Sequence, residues 1–327
     1  MEKRKNRINI TKIIKYIGNI VMILAIVIII SKIQSYDVDY SIIFSKKNIF
    51  SFILITLIYS VTVILGGIPW TNIINALLSC KIQYWETMLI YTKSNVFKYI
   101  PGNVFQYVGR NELAVNKNLK HSRVALSTLI DVSWNIFSII LLAILLARKN
   151  LFRYVTQQYE NFGKEVFIFF VISILVVLLL CLIILKKKRK EIVEILHEVF
   201  SIELTKALGK NFLFYIIQGL VNAGLYVAIF SIISGECYSI QSIMSCMGAM
   251  LVAFAAGFIT PGAPGGVGIR EAVSLFLLGT VIGESVILTG IVIMRVLSIV
   301  GDIFSFILIW IIEKLRNQRM GEQRNVK

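Results

Sequence analysis

The chain has 327 residues, of which 57% are hydrophobic and 16% charged, with a mean hydropathy of +0.79. A soluble domain of this length carries more charge, so a polytopic membrane protein is expected. The net charge of +16 does not indicate nucleic acid, because the basic residues cluster between long apolar blocks as cytoplasmic loops do.

The first apolar block, Tyr16–Ile33, follows Lys3, Arg4, Lys5, Arg7, Lys12 and Lys15. A signal peptide begins similarly, but no small-x-small cleavage site follows, so an uncleaved first helix is predicted. Further blocks reach the ~17–20 apolar residues that cross a bilayer. They are Phe50–Leu65 (the shortest, borrowing Ile49 and Gly66), Val124–Ala147, Val166–Leu185, Phe212–Ile233 and Ile287–Ile312. Two other regions are apolar but broken: Tyr84–Asn116 at Pro101-Gly102, and Tyr238–Gly283 at Pro261-Gly262-Ala263-Pro264-Gly265-Gly266. Proline removes a backbone donor and glycine loosens the chain, so each region reads as two helical arms joined by a turn. Such a turn must be buried in protein or line a wet cavity.

Loop charge sets the orientation. The tail before the first block carries six Lys and Arg, the stretch 186–210 seven, and the tail after Ile312 five, which places all three in the cytoplasm. Lys117, Lys120 and Arg123 agree, and the loops 234–239 and 279–286 have no Lys or Arg, as expected outside. Arg148, Lys149, Arg153 and Lys164 run against the rule. The predicted organisation is a cytoplasmic basic tail 1–15, a first membrane half 16–147 holding the broken pair 84–116, and a connecting loop 148–164. A second half 165–312 holds the broken pair 238–283, and a cytoplasmic basic tail 313–327 follows. The fold class is therefore an all-α integral membrane protein of the cell membrane with both termini cytoplasmic. It has six full spans plus two Pro/Gly-broken helix pairs, re-entrant or spanning, arranged as an inverted-topology repeat. Broken segments at matching places in two such halves point to a transporter's binding site.

A charge in mid-span costs about 2.5–3.5 kcal/mol on insertion scales. Arg295 and Asp302 lie in the last block, on one face with Ser298 and Ser305. Roughly 10 Å separates two residues seven apart on a helix, so each is expected to find a partner elsewhere. Ser127, Asp131, Asn135 and Ser138 make a similar stripe in Val124–Ala147, and Tyr215, Gln218, Asn222 and Tyr226 another in Phe212–Ile233. These stripes either enclose a hydrophilic path or join helices. Beside the first break stand Lys98, Gly102, Gln106, Arg110 and Glu112; beside the second stand Gly265, Gly266, Gly268, Arg270 and Glu271. A glycine-rich turn opening a helix offers N–H groups to an anion, and arginine adds a planar fork that matches phosphate. The alternative is that each arginine reaches the interface or pairs with a neighbouring acid.

Soluble chemistries fail on inspection. Gly262–Gly268 lacks the GK[ST] ending of a P-loop, and no GxSxG elbow or HExxH helix occurs. Cys80, Cys181, Cys237 and Cys246 form no CxxC pair, and His121 and His197 lie far from them, so no metal or other cofactor is expected. Lys186–Lys190 directly follows an apolar block and reads as a topology anchor.

Tyr99-Ile100-Pro101-Gly102-Asn103 with Gln106 and Arg110, the run Pro261 to Ala272, and Arg295 together resemble the lysylphosphatidylglycerol synthase transmembrane family over residues 10 to 315. Relatives often carry an acidic–basic pair near the start of the third helix; here Asp131 is present and a nearby basic residue is not. The resemblance implies a flippase-like membrane region that moves a phospholipid such as aminoacylated phosphatidylglycerol. With the chain ending shortly after Ile312, the soluble lysyltransferase domain is expected to be absent. Lys98, Gly102, Gln106, Arg110, Asp131, Gly265, Gly266, Arg270, Glu271, Arg295 and Asp302 are the expected substrate-binding residues, and no catalytic residue is assigned. Candidate partners are a membrane phospholipid or polyprenyl-linked lipid, a separate lipid or glycan synthase, and a second copy of the chain. Two other functions stay open here. One is a membrane enzyme using Glu271 or Asp302 as a general base. The other is a noncatalytic partner in lipid or cell-surface glycan assembly.

Overall fold

The computed structural model describes residues 45–78, 81–99, 105–115, 119–146, 201–259, 266, 268–279 and 281–325. Every regular element among them is helical. In order they are α1 (Lys46–Leu65), α2 (Gly67–Leu77), α3 (Tyr84–Asn95) with a 3-10 turn Val96–Tyr99, and α4 (Phe105–Val115). Then come α5 (His121–Leu146), α6 (Ile202–Ser234), α7 (Ile240–Ile259), α8 (Ile269–Leu278) and α9 (Glu284–Asn325). Many of these residues are β-branched and weak helix formers in water. In lipid the backbone must satisfy its own hydrogen bonds, so the helix is the available solution.

Five helical stretches among the described residues are long and apolar enough to cross a membrane: Lys46–Leu77, His121–Leu146, Ile202–Ser234, Ile240–Phe258 and Glu284–Arg316. Four of them carry the expected spans Phe50–Leu65, Val124–Ala147, Phe212–Ile233 and Ile287–Ile312. The fifth is the first arm of the second broken region. The expected spans Tyr16–Ile33 and Val166–Leu185 lie outside the described residues, as do Gly102, Gly265 and the loop 148–164. The chain is a multi-pass membrane protein.

Both broken regions resolve into two arms, as expected. They are unequal: α3 and α4 have 12 and 11 residues, whereas α7 has 20 and α8 has 10. The helix expected to stop at Leu65 continues after a one-residue break at Gly66 into α2. Pro69 is tolerated there because it sits in the first turn of α2, where its missing N–H has no intrahelical partner to lose. Gly67 lies so close to α3 that a Cβ would stand 2.7 Å from the Met88 Cα. The last helix also runs past the expected end at Ile312, through Asn325.

Local signals set the ends. Ser45 and Ser201 cap α1 and α6, their hydroxyls accepting from Asn48 N and Leu204 N at 3.3 Å each. Gly235, at φ +69°, closes α6 in the left-handed region. α1 and α9 turn Phe50, Ile53, Leu57, Val300, Phe304 and Trp310 outward. That exposure suits a lipid-facing surface rather than an aqueous one.

Helices from before residue 147 and after residue 200 interlock. α6 packs on α2, α9 packs on α1 and α3, and α7 packs on α6 and α8. The α1–α9 crossing uses small residues. Ser60 Oγ shares its proton between the Thr56 carbonyl of its own helix at 2.7 Å and the Gly301 carbonyl at 3.1 Å, and Ser305 Oγ shares its own between the Gly301 carbonyl at 2.7 Å and the Ser60 carbonyl at 3.2 Å. Trp70, Ile74, Ile90, Ala114 and Val124 form one core, and Phe230, Met250, Leu278, Ile287 and Ile291 belong to another.

Candidate functional site

The expected site residues gather into three charge clusters, each around a buried carboxylate and built at a helix that flanks a break. In the first, α4 carries Arg110 and α5 carries Asp131, each 4% exposed. Arg110 Nη1 donates to Asp131 Oδ2 at 3.2 Å, and the Tyr215 hydroxyl of α6 donates to Oδ1. The guanidinium lies 4.1 Å from the Tyr91 ring centroid and 5.3 Å from that of Trp70. Gln106 is buried one turn earlier on α4. The basic partner that Asp131 lacks nearby in sequence therefore comes from another helix, 21 residues upstream.

The second cluster surrounds Asp302 of α9, which is 1% exposed. Lys98 Nζ lies 2.6 Å from Oδ2, which also accepts from the Tyr99 hydroxyl. Oδ1 accepts from Asn95 Nδ2 at 2.8 Å and from the Tyr59 hydroxyl at 3.3 Å. Lys98 also donates to Tyr59 Oη at 3.0 Å. The end of α3 and its 3-10 turn are thus tied to the last helix just before Pro101. Lys93 of α3 forms a second tie, 2.5 Å from Glu313 of α9.

The third cluster joins α8 to α9. Arg295 Nε donates to Glu271 Oε1 at 2.8 Å, and its Nη2 lies 2.5 Å from the same oxygen. Glu271 Oε2 accepts from the Gly268 N–H at 2.7 Å. The turn expected to present free N–H groups to an anion therefore has one engaged by the chain's own carboxylate, where the helix dipole favours it. Gly268 has φ +85° and Gly266 φ +73°, conformations that glycine adopts without steric cost. Arg270 occupies the space between Gly266 and Gly257 of α7, against Phe254 and Phe258.

Asp302 and Arg295 each find a partner off their own helix, as their separation requires. Arg110 and Arg295 are held by internal acids rather than left open. The polar stripe of α6 divides: Tyr215 serves Asp131, whereas Gln218 joins α6 to α1 by donating to the Thr62 carbonyl at 3.1 Å, and Asn222 Oδ1 lies 3.4 Å from a Thr62 hydroxyl that donates at 2.7 Å to the Tyr59 carbonyl of its own helix. Ser138 donates back to Trp134 O of its own helix. Tyr59, Asn95 and Tyr99 were not expected at the site. Tyr99 and Asn95 flank Lys98 before the break, and Tyr59-Ser60 is a polar pair in an apolar run; those are the signals they carry in sequence.

A family model described as Lysylphosphatidylglycerol synthase TM region matches residues 17–305. The chain belongs to this family. The matched stretch reaches past Asp302, so all three clusters of this lysylphosphatidylglycerol synthase transmembrane-region member lie inside it. No curated protein and no solved structure matches the chain.

Proposed function

We propose that this chain is a flippase-like lipid transporter, with a phospholipid or lipid-linked headgroup passing along a polar path between two oppositely oriented halves. One observation carries the reading. In each half, the short arm after the Pro-Gly break makes an arginine–carboxylate pair with the next long helix, its carboxylate buried: Arg110–Asp131 on α4 and α5, Glu271–Arg295 on α8 and α9. The separations are similar, 21 and 24 residues, and the charges are exchanged between arm and long helix. Matching pairs at matching places support an inverted repeat, whose interface is where transporters hold their substrates. Buried ionisable groups in spans are retained mainly where a polar passage uses them. The basic clusters of both tails and of 186–210 support cytoplasmic termini in the cell membrane.

Glu271 and Asp302 are both engaged by internal donors, which favours charge balancing over proton abstraction from a substrate. Reconstitution in liposomes with headgroup-labelled phosphatidylglycerol, lysyl-phosphatidylglycerol and phosphatidylethanolamine tests the proposal. Added protein should accelerate leaflet exchange of at least one lipid, and Asp131→Asn and Glu271→Gln should each slow it by about tenfold, the scale of one lost charge-assisted contact. Unchanged exchange across all three lipids removes the transport reading.

A further inference from the structure

Of the four cations beside the two breaks and in the middle of α9, three face a carboxylate and one does not. Arg110 meets Asp131, Lys98 meets Asp302 and Arg295 meets Glu271. Arg270 precedes Glu271 in sequence, yet that carboxylate is shared between Arg295 and the Gly268 N–H. Among the described residues, Arg270 has no carboxylate in ion-pair reach, and its Nε is sealed from solvent without a hydrogen-bond partner. A desolvated guanidinium without a counter-charge is costly to keep.

The surroundings form a cradle. The guanidinium carbon lies 5.0 Å from the Phe254 centroid and 5.6 Å from that of Phe258, one turn apart on α7. Aromatic faces attract a cation but do not neutralise it. On the other side, a Cβ at either Gly257 or Gly266 would stand 2.9 Å from Nε, so only glycine admits the side chain there. The residue as a whole is half-buried. Arg270 and Arg295 against Glu271 leave one positive charge. A phosphodiester carries one negative charge and oxygens spaced for the guanidinium fork, whereas a phosphomonoester dianion or a pyrophosphate would overshoot.

Resting on the lipid-transport reading, we propose that Arg270 is the anion anchor of this chain and takes a singly charged phosphodiester. The test uses the full chain in detergent, wild type and Arg270→Gln, titrated with dihexanoyl-phosphatidylglycerol, soluble glycerophosphoglycerol and phosphate-free dihexanoylglycerol. Dihexanoyl-phosphatidylglycerol should bind the wild type, with Kd raised at least tenfold in Arg270→Gln, and dihexanoylglycerol should not compete. The ligand-free Tm of Arg270→Gln should equal or exceed that of the wild type, because a half-buried cation without a carboxylate partner has been removed. Equal Arg270 dependence for glycerophosphoglycerol supports the site and names a free phosphodiester as its ligand; dependence for the lipid alone supports it and names a lipid. Equal affinity in both proteins, no binding to the wild type, or a lower Tm with unchanged affinity overturns the assignment. Should Arg270→Gln fail to fold, Arg270→Lys keeps the charge and loses the fork, and is expected to weaken binding at least threefold; unchanged affinity again overturns it. Leaflet exchange in liposomes separates this inference from the reading beneath it. Exchange that persists in Arg270→Gln with unchanged affinity removes the anchor and leaves transport standing. Arg270-dependent binding without wild-type exchange does the reverse.

Discussion

Asp131 and Arg110 are each almost sealed from solvent, and each would be expensive in a bilayer alone. Removing one partner of a buried pair leaves an uncompensated charge, a larger loss than the pair's net worth. Asp131→Asn keeps an acceptor for Tyr215 and strands Arg110. It should lower stability by about 3–5 kcal/mol. Adding Arg110→Met should recover part of that loss, with a coupling of about 2 kcal/mol in the cycle. Thermal or denaturant unfolding of the singles and the double in detergent reads both values. Additive effects would mean that the two side chains do not interact. The sequence marks Asp131 clearly, as an acid in an apolar run. Its partner is hidden there, because helix-to-helix contact across 21 residues and a break leaves no periodic trace.

At the scale of elements, the α1–α9 crossing shows which force dominates inside lipid. Burying apolar surface gives no advantage over lipid tails, so close packing and hydrogen bonds must hold the helices. A Cβ on Gly301 would stand 2.7 Å from Tyr59 Cδ1 and 3.1 Å from Ser60 Oγ. Gly301→Leu should therefore force the helices apart and cost about 1–3 kcal/mol. Ser60→Ala removes one interhelical donor and should cost only about 0.6 kcal/mol, the average for membrane hydrogen bonds. Parallel unfolding of the two variants checks the order; a larger loss for Ser60→Ala would reverse it. Four helices are readable from apolar length alone. α2 is not, because Gly66, Gly67 and Pro69 together read as a stop. Its helix survives since Gly66 holds a helical backbone, at φ −57° and ψ −17°, and Pro69 falls within the first turn. The helical tail after Ile312 is equally hard to read, for its charged residues remove the apolar signal without removing helix propensity.

For the whole molecule, the opposed halves proposed above rest on the basic loops and the two breaks of the sequence. Single cysteines beside Pro101 and beside Pro264, in a chain stripped of its own four, should react with an impermeant maleimide from opposite sides of the membrane. Labelling of both from one side would rule out the inverted arrangement. Sequence cannot show how the halves interdigitate, because contacts such as Asn95–Asp302 span 207 residues. That interdigitation has a mechanical consequence. α3 and its 3-10 turn are tied to the last helix at Lys93–Glu313 and again at Lys98–Asp302, 11 residues earlier on α9. Those two anchor points are about 16 Å apart on the helix. Two ties so spaced couple α3 to α9 along about three turns, so a tilt of either helix would load the other before it reached the rest of the bundle.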